Sequence, residues 1–141
     1  MDLRVLVFGT FDGLHAGHLV FLMQAKKLGN KLIVVLARDL TVVKLKKMKP
    51  LRSEKVRALF LKNLPFVDQV VLGKDFFKDK LKIVKEINPS IIALGYDQNV
   101  NMSDLKKELN LRSMFPKLVR LKPFKNKIFK TRKLRKILFQ N

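Results

Sequence analysis

The chain contains no cysteine. That removes disulfides, thiolate nucleophiles and cysteine-based zinc sites, so any chemistry must use other groups. No stretch approaches the roughly 20 uncharged apolar residues that a membrane span needs. Asp2 stands where a secretion signal would be basic, so a soluble cytoplasmic protein with no membrane partner is expected. Acidic residues are scarce, at 11 against 31 lysines and arginines, and the balance is +20 over 141 residues. The partner expected from this excess is anionic: nucleic acid, a small polyphosphate, or, if the lysines only solvate the surface, none in particular. The dinucleotide fingerprint G-x-G-x-x-G and the P-loop G-x-x-x-x-G-K-[ST] are both missing, which disfavours dehydrogenases and ordinary kinases. No Ser-His-Asp or Cys-His set is visible.

What is present has a clear rhythm. Short apolar runs at Leu3–Phe8, Leu32–Ala37, Val67–Leu72, Ile91–Leu94 and Leu118–Leu121 read as strands covered on both faces. Helical patterns lie between them, which is the pattern of β-α-β units on a parallel sheet. Residues 17–28 place Leu19, Val20, Leu22, Met23 and Leu28 on one side, with Lys26 and Lys27 left for solvent. Residues 54–64 carry Val56, Leu59, Phe60 and Leu64 at helical spacing behind Ser53 as N-cap. Leu81, Val84 and Ile87 repeat the pattern before Asn88-Pro89, and a shorter helix is expected to start with Ser103 as its cap. The last acidic residue is Glu108, and ten cations follow between Lys117 and Lys136. Leu134, Ile137 and Leu138 sit at helical spacing there, so a docked amphipathic terminal helix is expected. With no repeat and no linker, residues 1–141 are expected to form one domain.

The most informative segment is Gly9-Thr10-Phe11-Asp12-Gly13-Leu14-His15-Ala16-Gly17-His18, which holds the chain's only two histidines. Its glycines let the chain turn off the first strand, and the i, i+3 spacing sets both imidazoles on one face at a helix N-terminus. Free backbone N–H groups and the positive dipole end suit that place to a phosphate chain. Zinc would need further ligands, and only carboxylates remain to supply them. A purely structural pair is the other alternative.

This segment, with its His-x-Gly-His core, resembles the signature of the cytidylyltransferase-like nucleotidyltransferases, which join a nucleoside triphosphate to an acceptor phosphate and release pyrophosphate. Further along, Ala37-Arg38-Asp39, Thr41-Val42-Val43-Lys44, Lys46 and Pro50 are similar to the archaeal-type FAD synthases of that family. So are Arg57, Val67-Asp68, Asn88-Pro89 and Gly95-Tyr96-Asp97-Gln98. The matches run in family order from residue 5 to about residue 135.

The resemblance implies a Rossmann-like three-layer αβα sandwich with a parallel five-stranded sheet in the order 3-2-1-4-5. It also implies that His15, His18 and Lys44 are catalytic, with Lys44 reaching the phosphates from a loop after the second strand. Nucleotide binding is implied for Gly9, Thr10, Phe11, Arg57, Gly95, Tyr96, Asp97 and Thr131, the last in Lys130-Thr131-Arg132-Lys133, where a second hydroxyl residue is replaced by Arg132. Phe11, like Phe8, reads as a core side chain, and Tyr96 as a wall of the nucleotide site. Asp12 and Asp39 are open between touching metal or ribose and capping a turn or helix. Mg²⁺ or another divalent cation is expected on the triphosphate, and a homodimer is expected from the family. The implied reaction is FMN with ATP to FAD. The alternatives are CTP with glycerol 3-phosphate or a similar phospho-alcohol, and a basic nucleic-acid-binding protein without catalysis. The basic C-terminal segment is open between the acceptor's phosphate, RNA and solvent.

Overall fold

A computed structural model describes residues 2–73 and 81–123. Five strands, β1 (Arg4–Gly9), β2 (Lys31–Leu36), β3 (Gln69–Leu72), β4 (Ile91–Leu94) and β5 (Lys117–Arg120), form one sheet in the order β3-β2-β1-β4-β5. Every pairing is parallel, with Val5 opposite Leu32 on one side and Ile91 on the other. The expected strand order and parallel sheet are both present.

Alternation along the central strands builds two cores. Val5 and Val7 join Leu32, Val34, Leu36 and Ala93 on one face, against α1 (Ala16–Lys27) and α3 (Glu54–Lys62). Leu6 joins Ile33, Val35, Ile92 and Leu94 on the other, against α4 (Lys82–Ile87) and α5 (Met102–Leu111). Strands buried on both faces need no polar alternation, which is why they read as continuous apolar runs. Between β2 and α3 lies α2 (Asp39–Lys46), an eight-residue helix whose only buried side chain is Val42 and which belongs to neither core.

Three expectations are corrected. The last described helix starts at Met102, because Asn101 Oδ1 accepts from Asp104 N at 3.0 Å; Ser103 lies inside the helix. In α3 the inward residues are Arg57 and Leu61, while Val56, Leu59 and Phe60 stay exposed. The helix is rotated because the guanidinium of Arg57 finds four acceptors beneath it, although Ser53 caps the helix as expected, its Oγ accepting from Val56 N. Lys26 is half-buried and pairs with Asp68, whose carboxylate also accepts from Leu32 N at 2.7 Å. The terminal helix expected around Leu134, Ile137 and Leu138 lies outside the described residues. Among the described residues, no helix is long and apolar enough to cross a membrane.

Candidate active site

The cleft opens at the carboxyl ends of β1 and β4, where the chain leaves the sheet in opposite directions and ligands settle in open α/β folds. Its first wall is the loop after Gly9. Phe11 takes φ 50° and Gly13 φ 88°, two left-handed residues that fold the loop back on itself. The Phe11 ring covers Gly9, where any Cβ would collide with it, and packs edge-on to His18 with centroids 5.4 Å apart. Phe11 is therefore both a core side chain and part of the cleft lining.

His15 is the N-cap of α1. Its Nδ1 accepts from Gly17 N at 3.1 Å and His18 N at 3.4 Å, while His18 Nδ1 accepts from His15 N at 3.3 Å. This is a capping box built from two imidazoles. The rings stack with centroids 3.7 Å apart, and a Cβ on residue 17 would come within 2.9 Å of the His15 ring, so any larger residue there would push that ring aside. An Nδ1 that accepts leaves Nε2–H as the donor of a neutral ring, and the His18 ring is also hydrogen-bonded to the Gly13 backbone. The pKa of His18 is lowered below 6.5, first by burial and then by His15 beside it, which favours the neutral donor form. The free helix N–H groups expected to meet phosphate are in part consumed, since His15 takes those of Gly17 and His18 and presents an imidazole donor in their place.

The second wall is the turn after β4. Gly95 N donates to Gln98 Oε1 at 2.7 Å, and Gln98 Nε2 donates to Phe8 O at 3.1 Å, so one side chain ties β4 to β1 where the strands diverge. Arg120 of β5 braces the same turn, donating to the carbonyls of Gly95, Gln98 and Val100 at 2.7 to 2.9 Å. Tyr96 and Asp97 are thereby held at the rim, exposed and lining the cleft.

The cleft of about 780 Å³ is lined by Gly9, Thr10, Phe11, His15, His18, Gly95, Tyr96 and Asp97 among the residues named from sequence. Lys44 and Arg57 are not among its lining residues, and Thr131 lies outside the described residues. Lys46 lines the cleft in place of Lys44. The segment after β2 is a helix where a loop is expected, and residues two apart on a helix point about 200° away from each other.

Arg57 is 0% exposed, and its guanidinium donates to the carbonyls of Arg52, Thr10 and Ala37 and to Asp39 Oδ1, at 2.7 to 3.0 Å. It is a strut beneath the site and does not touch the cleft. Asp39 serves as its partner. Asp12 accepts from Leu51 N at 2.6 Å and Arg52 N at 3.0 Å, so it closes a loop even though it also lines the cleft. Gln98 stands within the Gly95-Tyr96-Asp97-Gln98 match, and Arg120 and Lys122 stand within the ten-cation segment from Lys117 to Lys136, but neither pattern tells which of its side chains brace the turn or line the cleft.

Residues 6–137 match the family described as Cytidylyltransferase-like. The chain belongs to this family. Among curated relatives, the FAD synthase of Thermococcus sibiricus is 44% identical over 133 residues, covering 94% of this chain and 89% of that one. The FAD synthase of Aciduliprofundum boonei is 45% identical over 122 residues, covering 86% and 79%. Among solved structures, the lipopolysaccharide core biosynthesis protein from Thermoplasma volcanium superposes with a TM-score of 0.83 at 37% identity, over 89% of this chain and 100% of that one. Pantoate-beta-alanine ligase from Francisella tularensis gives a TM-score of 0.64 at 17% identity, which shows the shared fold alone.

Proposed function

We propose that this cytidylyltransferase-like enzyme is an FMN adenylyltransferase, joining FMN and ATP to give FAD and pyrophosphate. The observation that carries the reading is the histidine pair, two imidazoles stacked at one helix mouth on the cleft that Lys46 also lines. FAD synthase relatives at 44 and 45% identity over most of the chain support the choice of FMN and ATP.

In this reading the adenosine lies toward Tyr96, Asp97 and Gln98 and the triphosphate crosses the mouth of α1. An ionised oxygen of the FMN phosphate attacks the α-phosphorus of ATP. A new P–O bond forms as the bond to pyrophosphate breaks, and the leaving oxygen departs as an anion. The nucleophile is already ionised, so no side chain has to remove a proton. What remains for the protein is alignment and neutralisation of charge on the α-phosphate and the leaving group. The imidazoles of His15 and His18 supply directed donors, and Lys46 supplies a full charge.

Mg²⁺ belongs to this proposal as a passenger on the triphosphate, where it supplies charge neutralisation. Among the described residues no three His, Asp or Glu converge to cage a metal. Asp97 is the cleft carboxylate whose oxygens are not committed to a backbone cap, and one carboxylate with phosphates and water is an ordinary Mg²⁺ environment. The homodimer expected from the resemblance and the cytoplasmic location expected from the sequence accompany the same reading.

Incubation with FMN and ATP is expected to yield pyrophosphate and FAD. Pyrophosphate from CTP and glycerol 3-phosphate, with no FAD from the first pair, would overturn the assignment. Lys46→Ala is expected to lower kcat/KM by roughly 100-fold and Lys44→Ala by less than about tenfold, because only the former lines the cleft. Equal losses in steady-state assays would contradict the helical placement of the two lysines.

A further inference from the structure

The arch from Asp39 to Arg52 comprises α2 and the loop behind it. Only Val42 is buried in α2, yet Leu40 is 65%, Leu45 54%, Met48 71% and Leu51 87% exposed. Large apolar side chains at such exposure, concentrated in one short segment, mark a surface that meets something. The segment is nevertheless held firmly at both ends. Asp39 is bound to the buried Arg57, and Leu51 N and Arg52 N are bound to Asp12.

The loop carrying Met48 and Leu51 does not itself line the cleft but is attached to it at both ends. Lys46, two residues before Met48, lines the cleft, and the Asp12 carboxylate that holds Leu51 lines it too. The Arg52 guanidinium lies against the phosphate-side loop, its Nη1 3.1 Å from where a Cβ on Gly13 would stand. An occupant of this lip therefore places part of itself on apolar side chains and part among cations.

Charge selects between a second copy of the chain and a small anion-tailed ligand. Residues 38–55 carry seven cations, at positions 38, 44, 46, 47, 49, 52 and 55, against only Asp39 and Glu54. Both acids are engaged internally, Asp39 with Arg57 and Glu54 with Arg38 and the Asp39 N–H. An isologous contact across this face would press like charges together. A flat apolar ring with a phosphate tail meets both features.

We propose that Met48 and Leu51 form the shelf that receives the isoalloxazine ring of FMN, with the FMN phosphate directed toward Lys46 and the α1 mouth. This rests on the FMN reading above and assigns the acceptor's ring to the β2 side of the cleft, opposite the Tyr96–Gln98 wall. The shelf distinguishes FMN from ring-less phospho-alcohols, since binding energy from a remote ring is available only to an acceptor that has one.

The test is kinetic, on the full chain with ATP as donor and either FMN or ribitol 5-phosphate, the tail of FMN without its ring, as acceptor. Met48→Ser with Leu51→Ser is expected to raise the KM for FMN by roughly tenfold or more, with little change in the KM for ATP. The loss should fall on FMN and not on ribitol 5-phosphate. Both side chains are exposed, so the variant's melting temperature should match the parent's. An unchanged KM for FMN would overturn the shelf. An equal loss with both acceptors would also overturn it, placing the loop's effect in Lys46, as would a change of mass in sedimentation, which would make the face a subunit contact. A parent enzyme that makes no FAD would instead defeat the FMN reading itself.

Discussion

His18→Ala is expected to lower kcat by roughly 100- to 1,000-fold, the usual loss when one preorganised donor to a charged transition state is removed. The same change at His15 removes the N-cap of α1 as well and costs about 1 kcal/mol of stability. His15→Asn separates the two effects. Its amide oxygen can cap the helix, but nothing replaces the Nε2–H, so thermal stability should stay near the parent's while turnover is lost. Near-normal turnover in His15→Asn or His18→Ala would remove the role assigned to the pair.

The pH dependence follows from the same bonds. Burial and the neighbouring His15 hold the His18 pKa below 6.5, so the unfolded chain takes up a proton more readily than the folded one. The stability linked to this ring is full above pH 6.5 and is lost as pH falls through the lower folded value. Activity should follow the same course, because protonation at Nδ1 destroys an acceptor of the capping box. Rate profiles, with imidazole nitrogen shifts measured in parallel, check this. A rate that rises as pH falls through 6.5 would mean that the imidazolium is the working form.

Arg57→Leu is expected to destabilise the fold by about 3 to 5 kcal/mol, the range found when one partner of a buried ionic network is removed. Three carbonyls and Asp39 lose their donor at once, and they belong to the loop after β1, the end of β2, the start of α2 and the loop before α3. A drop in melting temperature of roughly 10 °C should accompany the change. Arg57→Lys should recover little, because a compact ammonium cannot span four acceptors that a planar fork reaches together. Calorimetry decides the matter: an Arg57→Lys variant that melts normally but binds ATP poorly would return Arg57 to direct nucleotide contact.

The parts legible in advance were those whose cause is local. Uniformly apolar runs marked all five strands to within two residues at their starts, since a strand covered on both faces has no polar side to show. The Gly9–His18 segment disclosed its histidines because the reciprocal cap needs two imidazoles three apart, and a glycine leaves room for the first ring. Other features depended on contacts between distant segments. The face that α3 buries is not the one its sequence suggests, because Val56, Leu59 and Phe60 obey the periodicity of a buried stripe, while Arg57 finds its acceptors 5 to 47 residues away. α2 has one buried side chain and so carries almost no apolar rhythm to announce a helix.

Residue order alone therefore determined the five strands, a helix between each successive pair and the position of the histidine pair, because apolar periodicity and helix capping are written in a few neighbouring residues. The strand order came from the resemblance. Only the folded chain decided which lysine reaches the cleft, that Arg57 is a buried strut, and that Gln98 and Arg120 hold the turn after β4. Those roles are set by hydrogen-bond acceptors and helix orientations that meet only when separate segments pack together.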